Sequence, residues 1–106
     1  MKFFSKYKNK PQVVDGHRFP SIREAKRYGE LKLLLQSGEI RGLVLQPRYP
    51  LRIQKKLICT YVADFRYTDK ATGKVVVEDC KGFKTSVYKL KKKLIEAIEG
   101  MTILET

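Results

Sequence analysis

Residues 75–85 read VVVEDCKGFKT, and this stretch constrains the fold more than any other. Three consecutive β-branched residues are stiff at χ1 and pack well on a pleated surface, so Val75, Val76 and Val77 predict a buried strand. The strand ends by delivering Glu78, Asp79 and Lys81 to one spot, and Gly82 then stops it. Side chains alternate along a strand, so Val75, Val77, Asp79 and Lys81 share one face while Val76, Glu78 and Cys80 share the other. Charge placed at the end of a buried strand is costly unless a partner or a cation meets it.

The preceding strand-like segment supplies a candidate partner. LICTYVADFRYT, residues 57–68, carries Asp64 inside an apolar and aromatic run. The turn DKATGK would join it to the valine strand as a hairpin, bringing Asp64 close to Asp79. Two neighbouring carboxylates repel, which raises one pKa, unless a metal sits between them. A hard divalent cation such as Mg²⁺ prefers carboxylate and carbonyl oxygens. Lys81 beside it could orient or help deprotonate a water, or stabilise charge on a phosphoryl oxygen. The bland alternative is an Asp79–Lys81 salt bridge at a strand end, beside an exposed Asp64.

The remaining elements frame this pair. VVDGHRF, residues 13–19, has an Asp-Gly signal for a type I′ hairpin, with His17 exposed in it. Ser21 followed by Glu24 is a capping-box pattern that opens a helix through residues 22–37 and stops at Gly38. On that helix Glu24 begins the stripe of Tyr28, Leu31 and Leu35, while Arg23, Lys26 and Arg27 read as surface charge open to DNA contact. Residues 39–53 predict one strand broken or bulged at Pro47 and Pro50, near an edge. Residues 84–100 predict a second helix with Val87, Leu90, Leu94 and Ile98 inward and Gly100 at its end; Lys91 falls on that stripe and should snorkel or point toward the side of the acids. MTILE would be a short last strand. The order predicts an α/β fold: one central mixed β-sheet flanked by two helices.

Composition sets the class of partner. A chain of 106 residues is one domain with a small core, for which self-association as a homodimer is a natural supplement. Residues 1–11 hold four lysines among Phe3, Phe4 and Tyr7 and predict a loose basic arm, either solvated or in contact with nucleic acid, ahead of a single domain at 12–106. The net charge of +12 favours a polyanion, nucleic acid before an anionic membrane surface. No apolar run approaches a bilayer span, and no hydrophobic stretch follows the basic start, so the expectation is no export, no membrane and a cytoplasmic location with Cys59 and Cys80 reduced. One histidine and two cysteines cannot supply the usual ligands of a hydrolytic Zn²⁺ site.

FPSIREAKRY, YVADFRY and VEDCKGFKT together resemble the PD-(D/E)XK nuclease superfamily, in particular its small phage-encoded endonuclease-like proteins. The resemblance covers roughly residues 13–98 and implies a restriction-endonuclease-like core. The family carries an acid on the first helix, an Asp at the second strand and an acid-x-Lys at the third. The matching positions here are Glu24, Asp64, Asp79 and Lys81. Ala63 stands where the family pattern has proline. The spacing to Lys81 selects Asp79, although a bulge would let Glu78 take its place.

The resemblance implies a Mg²⁺-dependent deoxyribonuclease, with Mn²⁺ able to substitute. Asp64, Asp79, the Cys80 carbonyl and Glu24 would hold the metal, and Lys81 would position the attacking water. The products would be a 5′-phosphate and a 3′-hydroxyl, and a phage protein would act in the host cytoplasm. Substrates could be branched DNA and junctions or general duplex. The alternative is a non-catalytic DNA-binding or accessory protein on a nuclease fold. Lys84, Thr85 and Tyr88 after the glycine, and Lys89, Lys92 and Lys93 on the polar side of the second helix, are the candidate nucleic-acid contacts, against an ordinary solvated helix face. For Glu24, capping and metal binding compete.

Overall fold

The computed structural model describes residues 10–106; the basic arm predicted for residues 1–11 lies almost wholly outside the described residues. The chain opens with a two-stranded ribbon, β1 (Gln12–Val14) and β2 (His17–Phe19), followed by α1 (Ile22–Gln36). Then come β3 (Ile40–Leu45), β4 (Arg48–Ile53), β5 (Lys56–Val62), β6 (Phe65–Asp69) and β7 (Val75–Asp79), and α2 (Ser86–Glu99) precedes β8 (Ile103–Glu105). The central sheet has the order β3-β6-β7-β8, antiparallel except for the parallel β7–β8 pair. That parallel pair needs a crossover, and α2 is the crossover. The architecture is therefore the α/β one expected, with a mixed sheet and two helices. No helix of the described residues is long and apolar enough to cross a membrane.

The pleat divides the core in two. Tyr28 and Leu31 of α1 pack with Phe19, Ile40, Phe65 and Tyr67, against Val76 and Cys80 from one face of β7. Tyr88 and Ile95 of α2 pack with Leu51, Tyr61 and Ala63, against Val77 from the other face. The period-2 reading of the valine strand thus describes its two faces, but the strand is buried only from its middle onward: Val75 is 63% exposed. The turns and caps also follow their residues. Asp15 and Gly16 take φ of 53° and 77°, Ser21 Oγ caps α1 by accepting from Glu24 N–H at 3.1 Å, and Gly38 and Gly100 take the left-handed conformation at the helix ends.

Four predicted elements are corrected. Residues 39–53 and 57–68 are not one strand each; they form β3 with β4, and β5 with β6. β3 pairs β6 and β4 pairs β5. The four make one long antiparallel ribbon that bends at a single level. At the bend Gln46 adopts φ of 51°, its N–H donates to Asp64 O at 2.9 Å, and Ala63 N–H donates to Pro47 O at 3.1 Å. Pro47 has no N–H to continue the ladder, so the two strands break together. The bend lays β4 and β5 over α2. On α2 the predicted stripe is displaced: Val87 and Leu90 are 63% and 60% exposed, while Tyr88 and Ile95 are buried and Leu94 and Ile98 pack beside them. Lys91 does reach inward, its Nζ donating to Thr60 O at 3.5 Å. On α1, Leu34 packs in the last turn and Leu35 is exposed, where the chain turns back and Glu39 N–H bonds Leu34 O.

The ribbon ends in a two-residue turn of Gln54 and Lys55, at φ of 50° and 69°. A type I′ turn needs φ > 0 at both positions and prefers Asn-Gly. Replacing Gln54→Asn together with Lys55→Gly is expected to stabilise the domain by about 1 kcal/mol, raising Tm by roughly 4–8 °C in a thermal melt. An unchanged or lower Tm would contradict this turn assignment.

Candidate functional site

Three elements deliver acids to one end of the sheet. Phe65 of β6 pairs with Glu78 of β7, and Asp64 N–H donates to Glu78 O at 3.0 Å, so Asp64 lies beside Asp79 where the ribbon bends. The hairpin predicted across DKATGK is thus present and does bring Asp64 to Asp79. Glu24 arrives from the first turn of α1 and is 4% exposed, while Asp79 is fully buried. The Glu24 carboxyl faces the Asp64 carboxyl and the Gln46 side chain, and Asp79 and Lys81 act on it as well.

Each acid is held by a specific group. Cys80 N–H donates to Asp64 Oδ2 at 2.6 Å, so the structure puts the Cys80 amide, rather than its carbonyl, on this carboxylate. The Tyr61 hydroxyl donates to Asp79 Oδ2. Lys81 Nζ lies 3.2 Å from Asp79 Oδ1 and 5.0 Å from the centre of the Tyr88 ring. The lysine gives Oδ1 charge but no aligned hydrogen bond, and Oδ1 of Asp79 and Oε2 of Glu24 are buried without a hydrogen-bond partner. The capping bond of Glu24 uses its backbone N–H, which leaves its carboxylate to the site.

Burial and mutual repulsion disfavour the ionised carboxylates. The Asp64 carboxyl is pushed up to about 8, first by desolvation and then by the Asp79 and Glu24 charges, against the lowering effect of the Cys80 N–H. Glu24 is also raised, chiefly by burial. The Cys80 thiol is pushed up to about 11 by burial, so it stays protonated at neutral pH.

Among the described residues no three His, Cys, Asp or Glu side chains already surround one point as an ion cage. The donor chemistry nevertheless fits a hard divalent cation. All three acids offer oxygen, two of those oxygens are buried without a hydrogen bond, one of them beside the Lys81 ammonium, and one carboxyl retains a proton that a cation would replace.

Glu78, the other acid of the valine strand, is engaged elsewhere. It is fully buried on the α1 face, where Arg27 Nε donates to Oε1 at 2.8 Å and Arg27 Nη2 to Oε2 at 2.7 Å. The Tyr67 hydroxyl donates to Oε2 as well. Arg27 therefore is not simple surface charge. Both Glu78 oxygens are satisfied, whereas Asp79 keeps one free of hydrogen bonds.

The candidate nucleic-acid residues separate. Lys89 and Lys93 are exposed. Lys84 and Lys92 stand 3.2 and 3.4 Å from the Glu105 carboxylate, which also accepts from the Tyr88 hydroxyl at 2.8 Å. Tyr88 is 8% exposed, so its ring belongs to the core and not to a binding surface. Thr85 Oγ1 accepts from Tyr88 N–H at 3.0 Å and caps α2. Gln46, Tyr61 and Glu105 were not singled out from the sequence. Gln46 beside Pro47 carried a faint signal; Tyr61 and Glu105 reach the site only through strand pairing.

The chain belongs to the DUF1064 family. The family model, described as protein of unknown function, matches residues 4–99. No curated protein and no solved structure matches the chain. The DUF1064 match takes in Glu24, Gln46, Asp64, Asp79 and Lys81 and stops before β8, so Glu105 lies beyond it.

An acid whose pKa is raised on folding destabilises the native state once it ionises. Stability is therefore full below the ordinary Asp range and falls as pH climbs from about 4 through about 8. Without divalent cations, Tm should fall between pH 5 and pH 8. Asp64→Asn, which can still accept from Cys80 N–H, should flatten this slope and raise Tm at pH 8. Mg²⁺ should restore wild-type Tm at pH 8 and do little for the variant. Scanning calorimetry in EDTA and in Mg²⁺ reads all three effects, and an unchanged slope in Asp64→Asn would refute the assignment.

Proposed function

We propose that this DUF1064 protein is a divalent-cation-dependent DNA endonuclease on a restriction-endonuclease-like core. The observation that carries the proposal is the convergence of Glu24, Asp64, Asp79 and Lys81 at one end of the sheet, with Oε2 of Glu24 and Oδ1 of Asp79 buried without a hydrogen bond. The net charge of +12 supports a polyanionic substrate.

Asp64, Asp79 and Glu24 would hold Mg²⁺ or Mn²⁺. When bound, the cation supplies Lewis acidity toward the scissile phosphoryl group. The chain's own groups do the rest. Lys81, set by Asp79 Oδ1 and the Tyr88 face, presents an ammonium that orients the attacking water and offsets charge growing on a phosphoryl oxygen. Tyr61 fixes the Asp79 rotamer through Oδ2 and leaves Oδ1 for the site. Gln46 faces the Glu24 carboxyl from the ribbon bend. Lys89 and Lys93 add positive charge along the exposed side of α2. Cutting both strands of a duplex calls for two such centres, hence a homodimer.

Plasmid nicking in Mg²⁺ and in EDTA tests the proposal. Cleavage should occur only in Mg²⁺. Asp64→Asn, Asp79→Asn and Lys81→Ala should each lower it by ~100-fold or more while leaving DNA affinity within about threefold. Glu24→Gln keeps the backbone cap and should cost roughly tenfold or more in cleavage with Tm held or raised. Equal nicking in EDTA, or full turnover by Asp79→Asn, would sink the proposal.

Binding should be electrostatic as well. Neutralising roughly five to eight phosphates gives a slope of log K against log salt of about −4 to −7. A flat titration by fluorescence anisotropy would mean that the charge serves another end.

A further inference from the structure

We infer that Arg27, Tyr67 and Glu78 form a clamp that sets the positions of the three candidate cation ligands without touching the cation; this rests on the cation-site reading above. The two clusters are drawn from the same elements. On α1, Glu24 and Arg27 are three residues apart, on one side of the helix. Asp64, in the bend just before β6, and Tyr67 within β6 are three residues apart. At the end of β7, Glu78 and Asp79 are adjacent and point to opposite faces. Each acid of the site thus lies on, or directly beside, an element that contributes one member of the Glu78 cluster.

The geometry of that cluster suits a spacer. The Arg27 fork meets both Glu78 oxygens, at 2.8 and 2.7 Å, and the Tyr67 hydroxyl closes on Oε2. A bidentate fork fixes the distance and also the rotation between helix and strand. Glu30 holds the outer side of the guanidinium, Oε1 to Nη1 at 3.0 Å, which limits its choice of rotamer. A buried ion pair is poor evidence for stability, since apolar side chains of similar volume often do as well. What an apolar pair lacks is a defined orientation. That orientation decides whether Glu24, held by one turn of helix, meets Asp64 and Asp79 or misses them. Arg27, Tyr67 and Glu78 are therefore positioning residues, acting through backbone.

The test compares wild type with the double variant Arg27→Met/Glu78→Met and with Arg27→Lys, which keeps the charge and loses the fork. Tm is measured in EDTA. Mn²⁺ affinity is read from the electron paramagnetic resonance signal of free Mn²⁺, which needs no cleavage. Both variants should melt cooperatively, and their Mn²⁺ dissociation constants should rise about tenfold. Adding Glu24→Gln should cost wild type more affinity than it costs either variant, because in the variants Glu24 is no longer held in place. If the double variant does not fold, Arg27→Lys carries the comparison. A folded variant whose Mn²⁺ affinity stays within twofold of wild type, with Glu24→Gln fully additive, overturns the clamp and leaves the cation site standing. A wild-type protein that binds no Mn²⁺ overturns the cation site and the clamp with it.

Discussion

Everything around the end of β7 follows from the burial of carboxylates in a small domain. Glu24, Glu78 and Asp79 are almost completely removed from water, and Asp64 is pushed up to about 8 by the same environment. Burying a charge is costly unless it is paired and hydrogen-bonded. The chain treats its acids in two ways. Glu78 receives a guanidinium fork and a phenol, so its requirement is met within the protein. Glu24, Asp64 and Asp79 receive one amide, one phenol, one lysine and the Gln46 side chain among them, and two of their buried oxygens accept no hydrogen bond. Unmet need gathered at one strand end sets these three acids apart from Glu78, whose need is fully met. Residues held against their own stability are expected where function demands them.

Much of this arrangement can be read in the amino acids, and what cannot be read has a common cause. The valine run predicts β7 and the sorting of its faces because strand alternation is local. The first helix, its Ser21 cap and the Asp15-Gly16 turn are local too, as is the inward-facing Glu24. Asp64 lands beside Asp79 because one hairpin turn fixes the register. The failures are long-range. Residues 57–68 look like one strand because no residue in them forbids it; the break is imposed across the ladder, from Gln46 and Pro47 on the paired strand. The turn at Gln54 and Lys55 lacks any Asn-Gly signal. Tyr88 looks like a surface residue beside a lysine run until the bent ribbon covers it with Tyr61 and Leu51. Glu105, which pairs Lys84 and Lys92, is brought in only by a parallel strand beyond α2. The choice between Glu78 and Asp79 is of the same kind: spacing to Lys81 favours Asp79, but only Arg27, more than fifty residues upstream, shows what Glu78 is for.

The bend deserves weight as the device that makes the site open to side chains from both core layers. A straight ribbon would run Asp64 through the middle of a strand, with its side chain on one face of the sheet. Breaking the ladder at Gln46 and Asp64 frees Asp64 to accept from Cys80 N–H at the end of the neighbouring strand, between Glu24 on one side and Asp79 on the other. It also carries Tyr61 over to Asp79. The same two residues therefore end a strand, turn a ribbon and place a carboxylate. Gln46 does this at a left-handed φ of 51°, a conformation disfavoured for a residue with a side chain. Local backbone strain of this sort persists where surrounding structure over-determines it.

On the proposed reading, charge has two opposed jobs within one small domain. The overall excess of positive charge draws a polyanion from a distance, and its reach is set by salt. At the centre a phosphate would meet three acids, with Lys81 already shared with Asp79. Without cations the centre repels what the surface attracts, and protons offset this only in part, since one of several carboxyls is held near neutral pH. A divalent cation reverses the sign of the centre while leaving the surface as it was. Docking and seating thus become separable steps that depend on different ions: monovalent salt weakens the first, and divalent cation permits the second. Asp64 stands at the junction of the two, because the group that must release its proton is also the one that the ribbon bend has placed between the other acids.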